Sequence, residues 1–245
     1  MDLVVTADYE SMSRAAADAV VEVVAQKPNA ALVLATGNTP VGLYRELAAR
    51  QRAGRFDAAH LRIFQLDAYL GLAPDDDRSL YRWLDESFLR PLAIPASHVV
   101  RLPGDSADPA ETCRLYDQAV AAAGGFDLAV LGLGPNGHLG FNEPPVDPSA
   151  PSRVVDLTEA SVASNAPYWG GPDRVPRRAL TAGMAQLLGA KRVILLVSGA
   201  HKRDILQRTV SGPVTGDVPA SYLRTAAHVT VFADHAGWSA AATEP

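Results

Sequence analysis

The stretch from Leu131 to Pro145, LGLGPNGHLGFNEPP, sets a histidine, two amides and a carboxylate on a glycine-rich loop. The residues before it, Phe126-Asp127-Leu128-Ala129-Val130, form an apolar run that reads as a buried strand. The polar residues therefore stand at a strand's carboxyl end, where open α/β sheets place their ligands. Glycines at 137 and 140 leave His138 unobstructed on both sides. A histidine with a carboxylate, Glu143, a few residues along a tight loop can be held in one tautomer and shuttle a proton. A purely structural histidine is the alternative, and it suits this polar, glycine-rich setting poorly. No second histidine or carboxylate pairs with His138 at ligand spacing, so no metal is expected.

Two more clusters have the same strand-then-turn form. In Ala35-Thr36-Gly37-Asn38-Thr39-Pro40 a run of free backbone N–H groups leads into a helix and is joined by two hydroxyls, which makes an anion site. The competing reading is an ordinary turn with Asn38 or Thr39 as helix cap. The spacing is neither that of a Walker loop nor that of a dinucleotide fingerprint, so no nucleotide is expected. In Phe64-Gln65-Leu66-Asp67-Ala68-Tyr69 a strand ends on a carboxylate, which is either a general base or a cap on the next turn.

The elements that must carry these clusters alternate. Apolar runs at 3–6, 31–35, 61–66, 127–131, 192–197 and 228–232 read as strands. Amphipathic stretches at 13–26, 41–51, 80–88, 109–123, 179–188 and 202–210 read as helices. The alternation predicts an α/β fold: a doubly wound, mostly parallel, Rossmann-like sheet with helices on both faces, as one domain over 1–245. All three clusters then end strands of one sheet, and Thr36, Thr39, Asp67, Asn136, His138 and Glu143 should converge on one edge. Two segments read as irregular, the acidic 73–78 and the Pro-, Ser- and Gly-rich 144–176, each either a lid or a surface insertion.

With 245 residues, 48% of them apolar, the chain can bury a full core. A net charge of −5 and the lack of a dense basic block argue against a nucleic-acid partner and for a small-molecule one. Cys113 is the only cysteine, so an intrachain disulfide is impossible and a reducing cytoplasm is expected. The start of the chain lacks the pattern of a signal peptide, and no apolar run is long enough to span a membrane.

Taken with these residues, the chain resembles the glucosamine-6-phosphate deaminase family, which is related to the 6-phosphogluconolactonases. The segment Gly137-His138-Leu139-Gly140-Phe141-Asn142-Glu143-Pro144 is similar to the deaminase signature, and lactonases lack its Phe-Asn-Glu-Pro part. Further matches are Thr36 to Pro40, Leu66-Asp67 with Tyr69 and Gly71-Leu72, Val175-Pro176 with Ala179-Leu180-Thr181, and Gly199 to Lys202. The resemblance implies a hydrolase-class deaminase/isomerase that turns an amino-sugar phosphate into a ketose phosphate plus ammonia, with no cofactor. It implies that His138 protonates the ring oxygen with Glu143 orienting it, that Asn136 completes the relay, and that Asp67 moves the proton between C2 and C1. Thr36, Gly37, Asn38, Thr39 and Lys202 would hold the phosphate. Some relatives are regulated oligomers with longer C-terminal extensions. The short segment after Asp234 suggests an unregulated monomer or small homo-oligomer.

Three positions depart from the family pattern. Ala68 replaces an acidic residue beside the base, Asn136 stands where some members have Asp, and Pro167 stands where the family has a phosphate-contacting Arg. Loss of that guanidinium should cost roughly 2 to 4 kcal/mol of phosphate affinity unless Arg174, Arg177, Arg178 or Arg203 replaces it. A lactonase, a plain isomerase and a non-catalytic sugar-phosphate sensor are the competing functions.

Overall fold

The computed structural model describes residues 1–239. Its strands are β1 (Asp2–Thr6), β2 (Ala31–Leu34), β3 (Arg62–Gln65), β4 (Asp67–Tyr69), β5 (Val99–Val100), β6 (Leu128–Gly132), β7 (Arg153–Asp156), β8 (Arg178–Thr181), β9 (Val193–Val197) and β10 (Val229–Asp234). Its α-helices are α1 (Tyr9–Gln26), α2 (Val41–Arg52), α3 (Leu80–Leu84), α4 (Pro109–Ala122), α5 (Glu159–Trp169), α6 (Met184–Leu188), α7 (Arg203–Ser211) and α8 (His235–Trp238). Among the described residues no helix is long and apolar enough to cross a membrane.

Seven strands form a fully parallel sheet in the order β1-β10-β9-β6-β2-β3-β5. From β2 the chain winds outward through β3 to β5, then returns to β6 on the other side of β2 and winds the opposite way. The order therefore reverses between β2 and β6, and the crevice beyond their carboxyl ends is the expected ligand position. Because successive side chains on a strand point to opposite faces, the sheet feeds two cores. Val33, Phe64, Ala129, Leu131, Leu195 and Val231 pack with buried residues of α4, α6 and α7, while Leu32, Leu34, Ile63, Val130 and Leu196 pack with α1 and α2. Helix starts are fixed locally: Asp8 accepts from the Ser11 N–H at 2.7 Å, and Asp108 accepts from the Glu111 N–H at 3.0 Å with Pro109 in the first turn. At the opposite edge of the sheet, buried Asp127 pairs with Lys27 and Lys191, each at 2.8 Å, well away from the strands' carboxyl ends.

The structure corrects the sequence reading in three places. The stretch 179–188 is not one helix: Ala179 to Thr181 lie in β8, and only α6 is helical. Helical propensity there yields to pairing of β8 with β4 and β7 in a second, three-stranded antiparallel sheet. The segment 144–176 is not irregular, since it holds β7 and α5. Helix α5 is capped by Thr158 at one end and by Gly170, at φ 70°, at the other, and it buries Val162 and Trp169 against Tyr69 and Phe141. Third, neither Asn38 nor Thr39 caps α2; Pro40 holds that position without a side-chain bond.

Candidate active site

A cavity of about 910 Å³ opens over the carboxyl ends of β2, β3 and β6. Thr36, Gly37, Asn38, Thr39, Asp67, His138 and Lys202 all line it. Asn136 and Glu143 stand behind His138 rather than on the cavity wall.

The turn after β2 is shaped by Gly37, whose φ of 93° favours glycine. The Tyr9 hydroxyl donates to the carbonyls of Asn38 at 3.0 Å and Thr39 at 3.1 Å, and accepts from the Gly42 N–H at 2.7 Å. This clamp engages the loop's carbonyls and leaves N–H groups and the Thr36 and Thr39 hydroxyls for an anion. Lys202 adds a cation from the turn before α7. It is partly buried, burial lowers its pKa, and among the described residues it has no carboxylate partner. A desolvated ammonium without a counter-ion favours binding of an anion.

Asp67 opens β4, directly after the parallel strand β3, where Leu66 bridges the two sheets by accepting from the Ala182 N–H at 2.8 Å. The carboxylate caps no turn. It is buried, its Oδ1 has no hydrogen-bond partner, and burial raises its pKa from 3.8 to about 7. Ala68, the next residue, adds no charge to that balance.

Glu143 has the opposite environment. Its Oε2 accepts from Asn136 Nδ2 at 2.8 Å, from the Thr158 hydroxyl at 3.0 Å and from His138 Nδ1 at 3.3 Å. Burial would raise its pKa, but the hydrogen bond and charge of His138, with help from Asn136, outweigh it and hold the carboxyl at about 2. Asn136 also accepts from the His138 backbone N–H at 3.2 Å, so one amide fixes both partners. The His138 ring lies so close to Gly134 that a Cβ there would come within 2.2 Å of Nε2. The loop is braced by Asn142, which is fully buried. Asn142 donates to the carbonyls of Leu139 at 2.8 Å and Ala182 at 2.9 Å, and accepts from Arg153 at 2.8 Å.

Helix α5, read from sequence as loop, forms one wall through Ser164, Asn165, Tyr168 and Trp169, and the Tyr168 hydroxyl accepts from Asn38 Nδ2 at 2.8 Å. None of the arginines considered as replacements for the one lost at Pro167 lines the cavity. Arg177 pairs with Glu159 at 2.8 Å, Arg178 with Asp156 at 3.8 Å, and Arg203 donates to the Ala236 carbonyl. The guanidinium groups that do line the cavity are those of Arg45 and Arg78. Arg78 is bound in bidentate fashion by Asp76 and stacks on the Trp169 ring at 5.0 Å. Tyr9, Thr158, Ser161 and Arg78 were missed by sequence reasoning. Thr158 had a signal, as a hydroxyl residue opening a helix with Gly170 at its far end, whereas nothing local links Tyr9 to Asn38. Among the described residues no group of three His, Cys, Asp or Glu side chains is arranged to hold a metal ion.

Residues 7–232 match the family described as glucosamine-6-phosphate isomerases/6-phosphogluconolactonase. A glucosamine-6-phosphate deaminase of Halothermothrix orenii is 39% identical over 234 residues, covering 96% of this chain and 97% of that protein. Glucosamine-6-phosphate deaminase 2 of Bacillus subtilis is 38% identical over 237 residues, covering 96% and 95%. Among solved structures, a monomeric glucosamine-6-phosphate deaminase superposes with a TM-score of 0.94 at 34% identity, covering 97% and 98%. The 6-phosphogluconolactonase of Trypanosoma brucei superposes at 0.74 with 21% identity and 95% coverage of each chain, a likeness of fold. The chain belongs to the glucosamine-6-phosphate isomerase/6-phosphogluconolactonase family.

Proposed function

We propose that the protein is a glucosamine-6-phosphate deaminase, converting glucosamine 6-phosphate and water to fructose 6-phosphate and ammonia. The observation that carries this reading is the presence in one cavity of two proton carriers: Asp67, a buried carboxylate without a partner, and His138, held at Nδ1 by Glu143. The near-full-length relatives of that name support the choice of substrate.

Glu143 accepts from Nδ1 of His138 and leaves Nε2 to give a proton to the ring oxygen, which opens the sugar. Asp67 then removes the proton from C2 of the open-chain aldehyde, forming an enolamine, and returns it to C1. C1 is reduced as C2 is oxidised, so the step is balanced within the substrate. Water adds to the resulting C2 iminium, and ammonia leaves. A base with a pKa of about 7 is half ionised at neutrality, which suits a group that must both take and return a proton. The turn from Thr36 to Thr39 and Lys202 hold the phosphate, with Arg45 and Arg78 adding positive charge at the rim where Pro167 offers none.

The test is ammonia release from glucosamine 6-phosphate, measured beside hydrolysis of 6-phosphogluconolactone. Ammonia from the amino sugar, abolished by Asp67→Asn and by His138→Ala, is the expected result. Lactone hydrolysis without ammonia would overturn it, as would binding of the amino-sugar phosphate without turnover, which is the behaviour of a sensor. A monomer or small homo-oligomer in the cytoplasm is proposed as well, supported by the likeness to a monomeric deaminase, and light scattering and cell fractionation test it.

A further inference from the structure

We propose that Thr158 and Ser161, at the N-terminus of α5, are positioning residues that hold the His138–Glu143 pair in both tautomers of the imidazole. The Thr158 hydroxyl has one proton and two lone pairs. It accepts from Asn136 Nδ2 at 3.2 Å and from the Ser161 N–H at 3.3 Å, which fills both lone pairs. Its proton has two destinations, Glu143 Oε2 at 3.0 Å and Ser161 Oγ at 3.3 Å, and the shorter, charge-assisted bond to the carboxylate prevails.

Two consequences follow for the neighbours. Glu143 Oε2 is pinned by Asn136 and Thr158 at 2.8 and 3.0 Å, and the 3.3 Å contact to His138 Nδ1 is the longest of its three. The shorter contact of Nδ1 is to Ser161 Oγ, at 3.1 Å. Ser161 is fully buried, and with the Thr158 lone pairs filled its hydroxyl is free to turn toward the ring. When Nδ1 carries a proton, Ser161 Oγ accepts it together with Glu143. If the proton moves to Nε2, the same hydroxyl reverses and donates to bare Nδ1. A carboxylate alone cannot do this, because it only accepts. Ser161 thus keeps the ring from rotating whichever nitrogen holds the proton, and Thr158 keeps Glu143 aimed. The titratable or charged groups around His138 are Glu143 from its own loop and, lining the shared cavity, Asp67, His201 and Lys202 together with Arg45, Asp77, Arg78 and the phenols of Tyr9, Tyr69 and Tyr168; the α5 group bonded to its ring is the Ser161 hydroxyl.

This inference rests on the proton-transfer role proposed for His138, and its test separates the two. The imidazole ¹⁵N signals of His138 in substrate-free protein report the tautomer directly, and kinetics on glucosamine 6-phosphate report the consequence. Ser161→Ala is expected to shift the ¹⁵N signature toward rotational or tautomeric averaging and to lower kcat roughly tenfold, about the worth of one hydrogen bond, with KM within about twofold. Ser161→Thr should restore both, and Thr158→Val should act in the same direction while Thr158→Ser does not. If Ser161→Ala fails to fold, Ser161→Cys replaces it, since a thiol is nearly isosteric and a weak hydrogen bonder. Wild-type ¹⁵N signals in the Ser161 and Thr158 variants would overturn the proposal, as would a raised KM with unchanged kcat. Shifted signals in a protein that releases no ammonia would instead leave the positioning roles standing and overturn the deaminase reading.

Discussion

Replacing Asp67 by Asn should abolish turnover and, above neutral pH, make the protein more stable. The Asp67 carboxyl titrates at about 7 in the folded protein against 3.8 ordinarily, and burial is the cause. The folded state therefore holds a proton that the unfolded chain releases between about pH 4 and about pH 7. Stability falls with rising pH wherever the folded state binds more protons, so the penalty grows through that window and levels off above it. A shift of about 3 pKa units at 1.36 kcal/mol each puts the full penalty at about 4 kcal/mol. Asparagine carries no proton to lose. Its amide has its own cost at a site where Oδ1 lacks a partner, but that cost does not change with pH. The reliable quantity is thus the change with pH of the stability difference between the two proteins. From about pH 5 to about pH 8 it should move by about 3 kcal/mol in favour of Asp67→Asn. Urea unfolding followed by tryptophan fluorescence across that range measures it. Parallel stability curves for the two proteins would refute a buried, raised Asp67, and with it the claim that the base is poised near neutrality. Activity carries the same signature with the opposite benefit: kcat/KM should rise with pH through about 7 as Asp67 ionises.

Lys202→Ala should raise KM for the phosphorylated substrate roughly 10- to 100-fold, the worth of one charge-assisted contact, and leave kcat nearly unchanged. Steady-state kinetics on glucosamine 6-phosphate read this directly, and equal loss in kcat would remove Lys202 from the anion site. Glu143→Gln removes a carboxyl held at about 2 against 4.5 ordinarily. The wild-type pair should therefore contribute about 3 kcal/mol above pH 4.5 and lose it as pH falls through about 2, so acid unfolding curves of the two proteins should converge at low pH. Asn142→Ala leaves the Leu139 and Ala182 carbonyls and Arg153 without their buried partner; it should cost about 3 kcal/mol in urea unfolding and lower kcat by loosening the His138 loop.

The parallel sheet was legible because β2, β6 and β9 are buried on both faces and so read as unbroken apolar runs. The ends of the parallel strands suffice to place Thr36, Asp67 and His138 on one edge. The second sheet was not legible, because β4, β7 and β8 are three or four residues long and their strand character comes from pairing with each other. Helix α5 was hidden by Pro167 and by the Pro-, Ser- and Gly-rich segment around it, and it forms because its caps and the packing of Val162 and Trp169 override the break at Pro167. With α5 unseen, the hydroxyls of Thr158 and Ser161 had no place beside His138. The cations at the rim were missed for a similar reason: arginines near Pro167 in sequence point elsewhere, while Arg45 and Arg78 arrive from α2 and from the acidic loop before α3.

Asp67 and Glu143 show why residue type alone could not assign the roles. Both are carboxylates, both are buried, and burial raises the pKa of each. The difference is in partners. Among the described residues neither oxygen of the Asp67 carboxylate has a partner, and desolvation acts unopposed; Glu143 Oε1 is likewise unpartnered, but its Oε2 has three donors, one of which can carry a full positive charge. Proton affinities at about 7 and about 2 differ by about five powers of ten, so near neutrality only Asp67 can exchange a proton with a substrate while Glu143 stays ionised behind His138. Separating two like groups in this way lets one carboxyl exchange protons in the cavity while the other stays charged behind the histidine. It also explains the placement of the two loops: Asp67 opens a strand of the second sheet, where no donor reaches its Oδ1, and Glu143 sits in a loop whose glycines and amide brace bring donors to it.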